Sequence, residues 1–198
     1  MRHKPRRVLV LGYGNPGRGD DGLGPALASR IEALGLPGVT VDADYQLVVE
    51  DAAAAAEHDV VVLADAAVTG PAPFRLQRLE PRRRLGFSTH SLDPASLVAL
   101  SRELFGGEEV CYLLAVRGYQ FDRFGEGLSP AAQANLDAAV EALVAALRTH
   151  GLEALASPGE AGWDVPHGIG GPVSLLTRTV AETVTAGGTA RACPIDEA

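Results

Sequence analysis

Two adjacent carboxylates close a glycine-rich turn near the start of the chain. The turn spans residues 12–24 and directly follows the apolar run Val8–Leu11, which is typical of a buried strand. A glycine-rich turn after such a strand often binds phosphate through backbone N–H groups and a helix N-terminus. Here the turn ends in Asp20 and Asp21, which repel phosphate and attract cations. The pattern therefore indicates that a carboxylate is presented to a metal, and not that a nucleotide is bound.

Two further polar residues lie at the ends of predicted elements, one after a strand and one before a helix. Asp65 follows the apolar run 60–64, and His90 lies shortly before the helix start at Asp93. If the sheet is parallel, Asp21, Asp65 and His90 share the edge formed by the carboxyl ends of the strands. Two carboxylates and one imidazole suit a borderline divalent ion such as nickel or zinc.

Each of these residues also has a simpler interpretation. Asp20 or Asp21 could cap the first helix, because N-terminal carboxylates complement the helix dipole. Asp65 could form a turn, and His90 could make a hydrogen bond at a helix entry. Spacing alone leaves these alternatives open.

Strand-like and helix-like segments alternate along most of the chain. Helices are predicted over 23–34, 48–57, 94–105 and 130 to about 150, and Asp93-Pro94 and Ser129-Pro130 are typical helix starts. Cys111 lies inside an apolar strand and is predicted to belong to the core. The alternation predicts an α/β fold, a three-layer α/β/α sandwich with a mostly parallel, roughly five-stranded sheet. The predicted strands cover 8–11, 39–41, 60–63, 74–79 and 110–116.

Composition limits the domain organisation and the classes of partner. The 198 residues suffice for one α/β domain over 1–156, and residues 157–198 are predicted to form a weakly structured or disordered C-terminal tail. The formal net charge of −8 argues against nucleic acid as a partner. Two cysteines make no disulfide framework, and no apolar segment is long enough to cross a bilayer. We expect a cytoplasmic protein with no membrane partner; its oligomeric state is not predicted.

Several short motifs occur in a characteristic order between about residues 7 and 150. In this order the chain resembles the hydrogenase maturation proteases, the peptidases that trim the large subunit of nickel–iron hydrogenases. The motifs are Val8–Gly12 with Gly14-Asn15, Asp20–Gly24, Leu63–Ala66, Ser88–His90, Ala115–Gln120 and Gly127–Pro130.

The resemblance implies a metal-dependent endopeptidase that removes a C-terminal peptide from the large-subunit precursor, its partner. It implies that Asp21, Asp65 and His90 are both the metal-binding and the catalytic residues. It also implies that nickel is supplied by the substrate and is not held permanently, and that the metal polarises the scissile carbonyl or activates water.

Three other functions compete with this interpretation. Gly14–Gly17 is similar to a motif of the peptidyl-tRNA hydrolases, but their Arg-His-Asn run is missing and the acidic charge suits tRNA poorly. The glycines at 12, 14 and 17 formally fit a dinucleotide-binding module, which the aspartate pair disfavours. A non-catalytic nickel-sensing maturation chaperone would use the same three residues and cut nothing, so a cleavage assay separates it from a protease.

Overall fold

The computed structural model describes residues 6–82, 92–122, 124–125 and 127–156. Five strands and five α-helices are found in this part of the chain. The strands are β1 (Val8–Tyr13), β2 (Val39–Asp44), β3 (Val60–Ala67), β4 (Phe74–Arg78) and β5 (Val110–Arg117). The helices are α1 (Leu23–Glu32), α2 (Val49–Ala56), α3 (Pro94–Phe105), α4 (Pro130–Thr149) and α5 (Leu152–Leu155), and a 3-10 helix (Gly19–Gly22) precedes α1.

The strands form one sheet in the order β2-β1-β3-β5-β4. β1 pairs in parallel with β2 and β3, and β3 pairs in parallel with β5. Only the edge strand β4 runs antiparallel, along β5. The predicted mostly parallel, five-stranded sheet is confirmed.

The sheet has a hydrophobic core on each face because successive residues of a strand point to opposite sides. Val8 and Val10 pack with α1 and α4 on one face, whereas Leu9 and Leu11 pack with α2 and α3 on the other. Cys111 is buried on the second face, as predicted. The helices on both faces complete the predicted three-layer sandwich.

The two predicted proline-marked helix starts are confirmed. The Asp93 carboxylate accepts hydrogen bonds from the backbone N–H groups of Ala95 and Ser96, both at 3.1 Å. The Ser129 hydroxyl accepts one from the N–H of Ala132 at 3.3 Å. Each side chain pairs N–H groups that have no partner within the helix, which explains why both helices begin at the following proline.

Two of the sequence predictions fall outside the described residues, namely His90 and the tail 157–198. The boundary between the predicted domain and this tail therefore stays a prediction. Within the described part of the chain, no helix combines the length and the apolar character needed to cross a membrane.

Candidate functional site

The carboxyl ends of β1 and β3 bring Asp21 and Asp65 to one edge of the sheet. Gly12 is paired with Ala64, so the turn that follows β1 lies beside the end of β3. The charge of Asp21 acts on Asp65 and raises the pKa of its carboxyl group. The structure thus places two of the three predicted site residues within electrostatic reach of each other, and His90 lies outside the described residues.

Asp65 is a buried strand residue and not a turn former. β3 continues to Ala67, beyond the apolar run in the sequence, because β5 pairs with it as far as Arg117. The Asp65 side chain is 5% exposed and accepts a hydrogen bond from the N–H of Ala66 at 2.7 Å. Burial raises its pKa to about 8, despite the opposing effect of this hydrogen bond. A pKa raised this far favours the protonated form of this carboxyl group at neutral pH.

Tyr13, which was not among the predicted site residues, belongs to the same site. It follows Gly12 at the end of β1, so the parallel register sets it next to Asp65 on the α2–α3 face. Its buried hydroxyl has no hydrogen-bond partner of good geometry among the described residues. Burial, then the nearby carboxyl groups of Asp65 and Asp93, raise the pKa of Tyr13 well above its ordinary value. Leu9, Leu11 and Tyr13 are two residues apart along β1, so the alternation of a strand places all three on the same face of the sheet. This spacing is the signal in the sequence that indicates Tyr13.

The backbone N–H groups of the glycine-rich turn are already hydrogen-bonded within the protein. Every residue from 14 to 21 except Pro16, which has no N–H, donates to an acceptor within the described structure. The acceptors are Asp44 O, Asp21 Oδ2, Asn15 Oδ1, Asn15 O, Gly125 O, Gln120 O and Arg18 O, at 2.9–3.3 Å. The turn therefore offers no row of N–H groups to a phosphate, which argues against the dinucleotide-binding alternative.

Asp21 does not cap the first helix. α1 begins after Gly22, and no side chain accepts a hydrogen bond from its first N–H groups. The half-buried Asp21 carboxylate instead accepts the N–H of Asn15 at 3.1 Å. This contact links Asp21 to the start of the turn, and the charge of Asp21 still acts on Asp65.

Asp20 has a different environment from its neighbour. It is 0% exposed, and its oxygens accept hydrogen bonds from the N–H groups of Tyr119, Gln120 and Ser129 and from the Ser129 hydroxyl, at 2.7–2.8 Å. Burial by itself would raise the pKa of Asp20, but these four donors outweigh it and lower the pKa. Asp20 is therefore a structural carboxylate that ties the chain after β5 to the glycine-rich turn.

Close packing of α1 against the sheet sets the position of the turn. A Cβ atom on Gly24 would lie 2.3 Å from the carbonyl oxygen of Tyr13 and 2.5 Å from that of Ala64. Only glycine allows the helix to approach the ends of β1 and β3 this closely. The same contact brings the preceding 3-10 helix, with Asp21, over the end of β3.

The described residues alone do not make a metal site. In the described ranges, no group of three or more His, Cys, Asp or Glu side chains is placed to hold a metal ion. Asp21 and Asp65 are two of the three ligands that the sequence predicts, and the third, His90, lies outside these ranges.

The raised pKa of Asp65 has a measurable consequence for stability. Ionising Asp65 costs free energy only in the folded protein, so this cost is absent near pH 4 and complete above about pH 8. We expect Asp65→Asn, in metal-free protein, to raise the free energy of unfolding at pH 9 by on the order of a few kcal/mol and to change it little at pH 4. Urea unfolding at both pH values measures this, and an equal effect at the two would contradict the assignment.

Fold and site together define a three-layer α/β protein with a carboxylate pair at the carboxyl edge of its sheet. Solved structures with this architecture include several hydrogenase maturation proteases. The hydrogenase maturating endopeptidase HybD from E. coli is 27% identical, with a TM-score of 0.57 over 73% of this chain and 94% of its own. The maturation protease HycI from Thermococcus kodakarensis KOD1 is 24% identical, with a TM-score of 0.57 over 72% and 93%. The hydrogenase 2 maturation peptidase from Thaumarchaeota archaeon SCGC_AB-539-E09 is 22% identical, with a TM-score of 0.54 over 72% and 99%.

The two archaeal proteins are less than 25% identical to this chain, so they show a common fold only. The E. coli enzyme, at 27%, is also similar in sequence. No protein-family model and no curated protein sequence matches the chain. The chain is thus similar in fold to hydrogenase maturation proteases, and similar in sequence to the one from E. coli.

Proposed function

We propose that this protein is an endopeptidase that removes a C-terminal peptide from the nickel-loaded large-subunit precursor of a nickel–iron hydrogenase. The observation that carries the proposal is the pairing of Asp21 and Asp65 at the carboxyl edge of a sheet with the fold of the E. coli endopeptidase. We further propose that the protein acts in the cytoplasm and that its partner is this precursor, not a nucleic acid or a membrane.

In this proposal the metal is part of the substrate. Asp21, Asp65 and His90 would complete the coordination of the nickel that the precursor carries. That nickel would act as a Lewis acid toward the scissile carbonyl or a water molecule. The raised pKa of Asp65 suits a residue that binds the metal only when the substrate is present. Its carboxyl group is neutral in the free protein and loses its proton when a cation binds.

Cysteine nucleophilic catalysis is not supported by the described residues. Cys111 is buried, and burial followed by the nearby Glu109 raises the pKa of its thiol. A thiol in this state is a poor nucleophile, and it lies on the covered α2–α3 face of the sheet. The carboxylate site remains the better candidate for peptide cleavage.

The proposal predicts that cleavage depends on nickel in the substrate. Wild-type protein should shorten a nickel-loaded large-subunit precursor at its C-terminus and leave the nickel-free precursor intact, as read by mass spectrometry of the intact chain. Equal cleavage of both forms would contradict the role given to nickel. Binding of the nickel-loaded form without cleavage would favour the nickel-sensing chaperone instead.

A second measurement tests the metal ligands without any cleavage. Calorimetric titration with cadmium, a substitute for nickel, should detect a weak binding event in the wild type that His90→Ala loses. Unchanged binding by the variant would remove His90 from the ligand set.

A further inference from the structure

Exposed apolar side chains are unevenly distributed between the two edges of the sheet. Of the eight large hydrophobic side chains that are exposed among the described residues, five follow the carboxyl ends of strands. These five are Tyr45, Val49, Val68, Tyr119 and Phe124. The other three, Leu34, Leu104 and Phe105, lie at the C-terminal ends of α1 and α3, at the opposite edge. Among the described residues, the edge that carries Asp21 and Asp65 thus exposes more of these large apolar side chains.

Hydrogen bonds hold the backbone at Tyr119 and at Gly125, beside the exposed aromatic side chains that follow β5. Asp20 holds Tyr119 and Gln120 at one end of the segment and Ser129 at the other. In between, Gly125 donates to the carbonyl of Gly17 at 3.0 Å and accepts from the N–H of Gly19 at 3.3 Å. Phe124, next to Gly125, is nevertheless 92% exposed. An apolar side chain next to backbone groups that are already hydrogen-bonded loses little entropy on binding, as is typical of a contact site.

The opposite side of the same edge is acidic. Asp42 and Asp44 near the end of β2 and Glu50 in the first turn of α2 are exposed. After burial, which is the main cause, these three charges raise the pKa of the neighbouring Asp51. Such a concentration of like charge at one place favours a partner with basic side chains.

Sheet order places the catalytic pair between these two parts. β2 lies beside β1 on one side, whereas β5 lies beside β3 on the other. Asp21 follows β1 and Asp65 belongs to β3, so both lie between the acidic part and the aromatic part. An extended chain that crosses the edge from β2 to β5 meets carboxylates, then the candidate site, then Tyr119 and Phe124.

We propose that this edge is a two-part docking surface for the precursor polypeptide, an inference that rests on the proposed function. Basic side chains of the precursor meet Asp44 and Glu50, and its apolar side chains pack on Tyr119 and Phe124. The segment to be cut then crosses Asp21 and Asp65. The acidic part sets orientation and association rate, whereas the aromatic part supplies most of the affinity.

Matched phenylalanine substitutions test the aromatic part. Phe124→Ala removes an exposed ring at the proposed surface, and Phe105→Ala removes one at the opposite edge, so neither disturbs the core. Binding is measured by calorimetry with the nickel-free large-subunit precursor as the probe, which the proposed enzyme does not cut. We expect Phe124→Ala to raise Kd about tenfold and Phe105→Ala to leave it unchanged.

Two glutamates at the two ends of α2 provide the corresponding pair for the acidic part. Glu50 lies in its first turn at the proposed surface, whereas Glu57 follows its last turn, at the other edge. We expect Glu50→Gln to weaken binding several-fold at low salt and to have little effect at 1 M salt, because screening removes surface electrostatics. Glu57→Gln should bind as the wild type at both salt concentrations.

The outcomes distinguish this inference from the proposed function. Wild-type affinity in both Phe124→Ala and Glu50→Gln would overturn the docking surface, even if the protein cuts the nickel-loaded precursor normally. Equal losses in Phe124→Ala and Phe105→Ala would overturn it as well. Tight binding that needs Phe124 and Glu50, without cleavage of the nickel-loaded form, would support the surface and contradict the protease.

Discussion

Asp21→Asn is expected to abolish cleavage of the nickel-loaded precursor while the protein stays folded. An amide is a poorer ligand for a divalent ion than a carboxylate, and it cannot act as a base. Asparagine keeps an oxygen that can accept the N–H of Asn15, so the turn loses little. We expect at least a hundredfold slower cleavage and a change in unfolding free energy within about 1 kcal/mol.

The same substitution separates a ligand from a helix cap. Asparagine and aspartate are comparable N-caps, so a capping residue would tolerate the change. Cleavage is followed by mass spectrometry and stability by urea unfolding on the same preparation. Full processing by Asp21→Asn would show that Asp21 is neither ligand nor base.

Asp20→Ala is expected to cause the largest loss of stability among the substitutions considered. It removes a fully buried carboxylate that accepts four hydrogen bonds. Three backbone N–H groups and one hydroxyl then lose their acceptor. Unpaired buried donors are costly, and we expect a loss of about 3–5 kcal/mol in unfolding free energy. Thermal unfolding should show this as a melting temperature lower by roughly 10 °C.

The adjacent aspartate is the matched control for this prediction. Asp21→Ala removes a half-buried carboxylate with one backbone contact, and it should cost far less stability than Asp20→Ala. Equal melting temperatures for the two variants would contradict the structural role of Asp20.

The pH dependence of the Asp20 contribution has the opposite sign to that of Asp65. The pKa of Asp20 is lowered in the folded protein, so its contribution to stability is complete above its unfolded value near 4. It is lost as the pH falls through the lowered folded value. The stability that Asp20→Ala loses relative to wild type should therefore become smaller in acid. The stability that Asp65→Asn gains relative to wild type should become larger toward alkaline pH.

Local patterns in the sequence were enough to predict the elements and their layers. The apolar runs of β1 and β3 lack the alternation of a half-exposed strand because both of their faces are covered by helices. Asp93-Pro94 and Ser129-Pro130 determined two helix starts through contacts within a few residues. The placement of Asp65 next to the turn after β1 followed from the expected parallel sheet. These inferences succeed because each depends on neighbouring residues or on a general rule of α/β folds.

Only the tertiary structure distinguished the two adjacent aspartates. Nothing local separates Asp20 from Asp21, because the partners of Asp20 are about a hundred positions away, at Tyr119, Gln120 and Ser129. The role of Tyr13 likewise depends on the register between β1 and β3, which brings a phenol beside a buried carboxyl group. The two-part edge depends on strand order, since β2 and β5 are far apart in sequence and lie on opposite sides of β1 and β3, whose carboxyl ends carry Asp21 and Asp65. Residue type and spacing determined which groups could do chemistry, and long-range packing decided which carboxylate is buried for structure and which faces the site.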